Sequence, residues 1–200
     1  MTIGANAVWE CTTTGNDDNG GFYMTGAGTT DYSLQNAAES TKADIVANGT
    51  TTLTSATGDW TIQMVGNGIH LDTPDEYYEI ATHVSPTEIT VDRIVAANVG
   101  ITGLVGGSIA TIQEFATNML AGGRNTCWVQ GNRNVTTEID FVADRDPEGY
   151  ARLLGHGGTR GDGTKVTLTA TDGLARFFDF TTGVSVDRKS TRLTSSHRCI

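Results

Sequence analysis

Lysine is almost missing from this chain. Only Lys42, Lys165 and Lys189 occur in its 200 residues, and cysteine and proline are equally scarce at three each. Three well-separated cysteines exclude a disulfide-stapled scaffold. Cys199 lies in a basic tail. Cys127 sits in the apolar run Cys127-Trp128-Val129 and is expected to be buried and unreactive. Cys11 is open to exposure. Charged residues make up only 18%, with 23 acids against 13 bases and a formal charge of −10. Nucleic-acid binding needs a basic face to neutralise phosphates, so that partner class is not expected. An acidic surface also disfavours anionic membranes. No run of apolar residues is long enough to cross a bilayer as a helix. Met1 to Asn6 lacks the basic and apolar segments of a secretory signal.

What the chain does have is glycine, 25 residues of it, and abundant threonine. That composition favours short strands and tight turns over helical bundles. Residues 33–47 read as a helix, because Leu34, Ala37, Ala38, Thr41 and Ile45 fall on one stripe. Asp31 or Ser33 would cap it, and Asn48-Gly49 would close it. Short β-like runs follow at Thr51–Thr54, Gly68–Leu71, Tyr77–Ala81 and Glu88–Asp92, with Pro74 and Pro86 between runs. Their spacing predicts a small antiparallel sheet or barrel. Residues 108–121 give the cleanest helical stripe: Ile112, Phe115, Ala116, Met119 and Leu120, with Ser108 as N-cap and Gly122-Gly123 as the stop. Beyond it lie short apolar segments at Cys127–Val129, Ile139–Val142, Ala151–Leu154, Lys165–Leu168 and Arg176–Phe180. Trp128, Leu153 and Phe178 are spaced 25 residues apart, which suggests solenoid coils. The helix at 108–121 would cap their open end. Phe115→Asp should then destabilise residues 108–186.

No residue qualifies as catalytic, cofactor-binding or metal-binding. Arg160-Gly161-Asp162 reads as a tight turn. The glycine-dense stretch Gly155 to Gly161 lacks the spacing of a phosphate loop. Asn48-Gly49-Thr50 and Asn134-Val135-Thr136 match a glycosylation sequon that carries no weight without a secretory signal. His70-Leu71-Asp72 offers two ligands but no third, and His70, His83 and His156 read as hydrogen-bonded or solvated. Asn16-Asp17-Asp18-Asn19 lacks the spaced ligands of a calcium loop and reads as a solvated turn. Asp140, Asp144, Asp146, Glu148, Asp162, Asp172 and Asp179 supply carboxylates, with Arg152, Arg160, Lys165 and Arg176 as basic neighbours. Glycosidases need two carboxyls at a set separation, and spacing alone selects no pair.

Several segments together resemble phage-associated right-handed parallel β-helix proteins of the pectin-lyase-like, tail-spike type. They are Trp9 to Phe22, Asp31-Tyr32-Ser33, Val65-Gly66-Asn67, Val91-Asp92-Arg93, Gly106-Gly107 and Arg152 to Asp162. The similarity covers most of residues 1–170. Thr13 stands where that family has Arg, and His156 where it has Tyr. The resemblance implies a mainly β chain. A small α+β domain at 1–107 would precede a capping helix and the first coils of a right-handed parallel β-helix at 108–186. It further implies a virion structural protein made in a host cytoplasm. Such a protein would be a homotrimer that contacts other virion proteins and in some relatives binds or cleaves a cell-surface glycan. A polysaccharide lyase or glycoside hydrolase on the same scaffold is the alternative.

Asp187 to His197 resembles one reading frame of a short-read sequencing adapter, departing from it only at Thr194. The expectation is that residues 187–200 are not native and that the gene continues past Val186. The tail carries Arg188, Lys189, Arg192 and Arg198 against Asp187, so the body alone is more acidic than the whole chain.

Overall fold

A computed structural model describes residues 6–118, 124–136, 139–141, 150–170 and 178–180. Two strands come first, β1 (Ala7–Cys11) and β2 (Phe22–Met24). Six more run between residues 40 and 105: β3 (Ser40–Ala47), β4 (Thr52–Ser55), β5 (Gly68–Leu71), β6 (Glu76–Ser85), β7 (Glu88–Val91) and β8 (Asn98–Val105). These six close into a barrel in the order β3-β4-β7-β6-β5-β8. All of its neighbouring pairs are antiparallel. The cause is local. Reversals as short as Pro86-Thr87 can only join antiparallel neighbours, because a parallel crossover needs a dozen residues or more. Alternating positions then point Leu53, Ile69, Leu71, Tyr78, Ile80, Ile89, Val91, Ile101 and Val105 inward. Trp60 and Met64 join them, and a Cβ on Gly103 would lie 2.4 Å from Cδ1 of Ile45. The barrel interior is therefore packed with side chains.

After the barrel come α1 (Ile112–Asn118), β9 (Arg124–Gln130), β10 (Arg133–Val135), β11 (Ile139–Phe141), β12 (Tyr150–His156), β13 (Leu168–Ala170) and β14 (Phe178–Phe180). A mixed sheet runs β12-β9-β1-β2, with β1 antiparallel to β2 and parallel to β9. The first strand of the chain thus lies beside a strand more than a hundred residues later. A second core forms on this sheet around Trp9, Phe22, Phe115, Ile112, Cys11 and Cys127. Tyr77 reaches into it from β6, while its neighbour Tyr78 faces the barrel core.

Glycines set the distance between the two layers. Gly20 donates its N–H to Gly106 O at 2.7 Å, and Gly106 donates to Gly68 O at 2.9 Å. A Cβ on Gly68 would lie 2.0 Å from Gly20 O, a backbone atom that cannot swing away. Gly68→Ala is expected to destabilise the protein toward the upper end of the ~0.5–3 kcal/mol range of single substitutions. Gly26→Ala, at a left-handed turn with open space around it, should strain only its own backbone. Urea denaturation of both variants checks the contrast.

The structure corrects the expected fold class. Its main sheet is a closed antiparallel barrel, joined by a mixed sheet, and the described residues do not form the coils of a right-handed parallel β-helix. The resemblance to phage β-helix tail-spike and pectin-lyase-like proteins falls with that fold. The 25-residue spacing misled by one position: β9 and β12 pair Leu153 with Cys127 and Leu154 with Trp128. The remaining parallel pairs, β10 with β13 and β11 with β14, are separate two-stranded sheets with other offsets. The helix expected over 33–47 is also corrected, to a 3-10 turn at Tyr32–Leu34 followed by β3. A bulge between Lys42 and Ile45 shifts the alternation by one, so the buried positions become Ser40, Lys42, Ile45 and Ala47. Of the stripe read as helical, Ile45 alone is buried, and Leu34, Ala37 and Thr41 are exposed. The later helix does form, but Thr111, not Ser108, accepts the N–H of Glu114 at 3.1 Å. Ser108 is instead buried against Thr12, 2.7 Å between hydroxyls.

Candidate functional site

The strongest polar constellation among the described residues joins three distant segments. Glu10 lies in β1 between Trp9 and Cys11 and is 1% exposed, in a strand whose other side chains are mostly apolar. A carboxylate there must find partners, because burying an unpaired charge is prohibitively unfavourable. It finds two. His156 Nε2 lies 2.5 Å from Oε1, and Arg160 Nε donates to Oε2 at 2.7 Å. Arg160 also donates to Asp31 Oδ2 at 2.6 Å and Ser33 Oγ at 2.9 Å. Asp31 in turn accepts from the N–H and hydroxyl of Ser33, which caps the 3-10 turn. Trp128 stands edge-on to His156 at 6.0 Å. Every charge in the group is answered by another member, so its chemistry is that of a lock.

A second cluster lies where the barrel meets α1. His70, 4% exposed, lies 3.0 Å from Asp75 Oδ1 through Nε2 and 3.1 Å from Asp18 O through Nδ1. The Tyr77 hydroxyl donates to Asp17 O at 2.5 Å, and the Tyr77 ring stacks 4.6 Å from His70. Asp17 Oδ1 accepts the N–H groups of Ala110 and Thr111 at 2.8 Å each. Burial, then neighbouring Glu114, pushes the Tyr77 phenol far up. Burial likewise raises the Glu114 carboxyl, with Asp17 and Asp75 adding to it and Tyr77 and His70 opposing.

A third group surrounds Arg93, whose guanidinium lies 3.8 Å over the Tyr78 ring and bonds Tyr77 O, Asp92 and Glu76. Burial first and Asp92 second push Glu79 up to about 6. Burial also pushes Tyr78 up to about 12.

The sequence-flagged residues separate accordingly. Asn16 to Asn19 is a turn with Asn16 and Asp18 exposed, but its other two residues are engaged. Asn19 is buried and bridges Asn36 O and Ser108 O, while Asp17 anchors the start of α1. His70 and Asp72 part company, Asp72 accepting from Thr102 N at 2.9 Å. His83 bonds Trp60 O. In Arg160-Gly161-Asp162 the turn is present: the N–H groups of Thr164 and Gly157 hold Asp162 down to about 2. Arg160, however, points inward to Glu10. Cys127 is buried as expected, and Cys11 is buried beside it, not exposed. Burial, and then Cys11, pushes the Cys127 thiol far up. Arg152 and Lys165 are exposed. The side chains of Asp140, Asp144, Asp146, Glu148, Asp172, Arg176 and Asp179 lie outside the described residues, as does the tail at 187–200. Among the described residues no group of three His, Cys, Asp or Glu side chains is placed to hold a metal ion. No helix among them is long and apolar enough to cross a membrane.

The sequence reading missed Glu10 and Asp31 as partners of Arg160. The available signal was an acid flanked by Trp9 and Cys11 in an apolar strand. Fold and clusters together define a filled antiparallel barrel knit to a mixed sheet by buried charge. No protein-family model matches the chain, and neither a curated protein nor a solved structure is significantly similar to it.

Proposed function

We propose that this chain is a structural module of a larger assembly, one that attaches and associates and does not catalyse. The observation that carries this reading is the use made of buried charge: Glu10, Asp31, His156 and Arg160 bind one another and hold three segments together. A catalytic centre keeps reactive groups facing a cleft. The cleft between α1 and β10 measures about 160 Å³, and its lining, from Ala110–Gln113, Arg133–Thr136 and Ile139, holds no carboxyl or imidazole. Typical ligand pockets run to roughly 300–1,000 Å³. The glycosidase or lyase reading draws no support from Glu79 and Asp92, because Asp92 is committed to the Glu79 N–H and to Arg93.

Self-association is part of the proposal. Among the described residues β12 pairs on one side only, and Leu153, Val166 and Leu168 beside it are only partly buried. An edge of this kind recruits strands from other chains. A homo-oligomer built through that edge, and attached to other proteins of a larger assembly, fits that surface. Light scattering on the purified full chain across a hundredfold concentration range should show an oligomer. A monomer throughout overturns the association, and turnover of any polysaccharide overturns the non-catalytic reading.

A further inference from the structure

We propose that Asn48 is a site of spontaneous covalent modification, where an amide of the folded chain becomes a carboxylate with water as the co-reactant, and that the fold confines this chemistry to that position. Asn-Gly is the pair most open to it. The backbone nitrogen that follows an asparagine can attack the side-chain carboxamide and close a five-membered ring. A glycine leaves that nitrogen unshielded and its backbone free to rotate. The sequence holds three such pairs, Asn19-Gly20, Asn48-Gly49 and Asn67-Gly68. The fold treats them differently. Asn19 is 2% exposed, and its Nδ2 donates to Asn36 O at 3.0 Å and to Ser108 O at 2.8 Å. The nitrogen that would attack it, Gly20 N, donates to Gly106 O at 2.7 Å. Asn67 is 0% exposed. Its Nδ2 donates to Thr30 O and its Oδ1 accepts from Tyr32 N, each at 2.8 Å, while Gly68 is held inside β5. Neither carboxamide can turn toward its glycine without breaking buried hydrogen bonds.

Asn48 and Gly49 are both exposed, in the link between β3 and β4 and outside either strand. Among the described residues no hydrogen bond engages the Asn48 carboxamide or the Gly49 N–H. Their neighbours carry the anchoring. Ala47 pairs with Leu53 and Asn98, and Thr50 accepts from Val95 N through its carbonyl and from Thr52 N through its hydroxyl. Gly49 sits at φ +74°, and a Cβ there would come no nearer to another group than 3.8 Å, at Ala97 Cβ, so the pair has room to rotate. In the reaction hydroxide takes the Gly49 N–H proton and the nitrogen bonds Asn48 Cγ. The Cγ–Nδ2 bond breaks, and ammonia leaves after taking a proton from water. Water then opens the ring. Cleavage of the new N–Cγ bond leaves aspartate. Cleavage of the original backbone C–N bond leaves isoaspartate, with the chain running through the former side chain. Either product adds a negative charge to a chain already at formal −10.

Ageing the folded full chain at pH 8 and mapping it by fragment-resolving mass spectrometry tests this. Aspartate and isoaspartate should accumulate at position 48. Asn19 and Asn67 should trail by more than ~tenfold in rate, because they react only in molecules that have opened. In guanidinium chloride, where no fold protects any pair, the three should convert at similar rates. Asn48→Gln, whose longer side chain would have to close a six-membered ring, should remove most of the acidic species that ion exchange resolves from the aged folded protein. Conversion of Asn19 or Asn67 in the folded chain that keeps pace with Asn48 overturns the proposal. So does an Asn48 that converts when unfolded but stays an amide when folded. Rates in guanidinium as unequal as those in the folded chain would place the contrast in local sequence and reject the part assigned to the fold. Should Asn48→Gln fail to fold, the site-by-site map of the wild-type chain decides by itself.

Discussion

Phe115→Ala is expected to lower stability by about 3–5 kcal/mol, the usual cost of emptying a buried aromatic site. Phe115 is fully buried, and its ring lies edge-on to Trp9 with centroids 5.9 Å apart. Trp9 also contacts Phe22 at 4.9 Å and Tyr77 at 5.3 Å. Four aromatic rings from β1, β2, β6 and α1 thus meet in one place. The described part of α1 has seven residues, too few to hold its shape through its own hydrogen bonds. It stays helical because Phe115, Ile112 and Ala116 are buried on the mixed sheet. Removing the ring withdraws that support, and the surrounding rings cannot all collapse into the space. For a chain of this size, each kcal/mol lowers the melting temperature by roughly 2–4 °C. Calorimetry of Phe115→Ala beside Thr117→Ala, an exposed position on the same helix, measures the difference. A Phe115 variant that melts with the Thr117 variant would show that this core is not what holds α1.

Much of the barrel was legible because its signals are local. Gly68–Leu71 was read with its observed bounds, and Glu88–Val91 and Thr52–Ser55 to within a residue, since alternation and turn residues within ten positions determine such strands. β3 was not legible, because its buried positions include Ser40 and Lys42, a bulge breaks its alternation, and small or apolar residues that the structure leaves exposed happened to fall on a helical stripe. The pairing of β1 with β9 was not legible either. Val8 and Thr126 are partners, yet nothing in either segment names the other. The tight reversals between residues 52 and 91 were read as an antiparallel sheet or barrel, which they form, whereas the recurring interval of apolar residues from Trp128 onward was read as coils that the described residues do not form. The lock shows the same limit. Arg160 was noticed for the tripeptide it begins and His156 for the residue it replaces. Their partner Glu10 lies about 150 positions earlier in sequence. Only the isolation of an acid in an apolar strand pointed to a missing counter-charge.

That counter-charge leads to the other large expected effect. Arg160→Met should lower stability by about 3–5 kcal/mol, as removing one partner of a buried ion pair does. Arg160 answers both Glu10 and Asp31, so the truncation leaves the Glu10 carboxylate, 1% exposed, with His156 alone. The Arg160 side chain is itself 18% exposed, and water reaching the vacated space would bring the loss toward the lower end of that range. Glu10→Gln should destabilise by itself, because it removes the charge that both His156 and Arg160 face and turns one of the two acceptor oxygens into an N–H donor. Combining Glu10→Gln with Arg160→Met should be milder than the sum of the two, since the double variant no longer buries a charge at position 10 that Arg160 would have to answer. The non-additivity is expected to fall within the ~0.5–3 kcal/mol seen for contacting groups. Urea denaturation of the four proteins gives the cycle. Strict additivity would mean that Glu10 and Arg160 act independently. The group at β1, the 3-10 turn and the end of β12 would then be an accident of packing, and the structural reading of this chain would lose the observation that carries it.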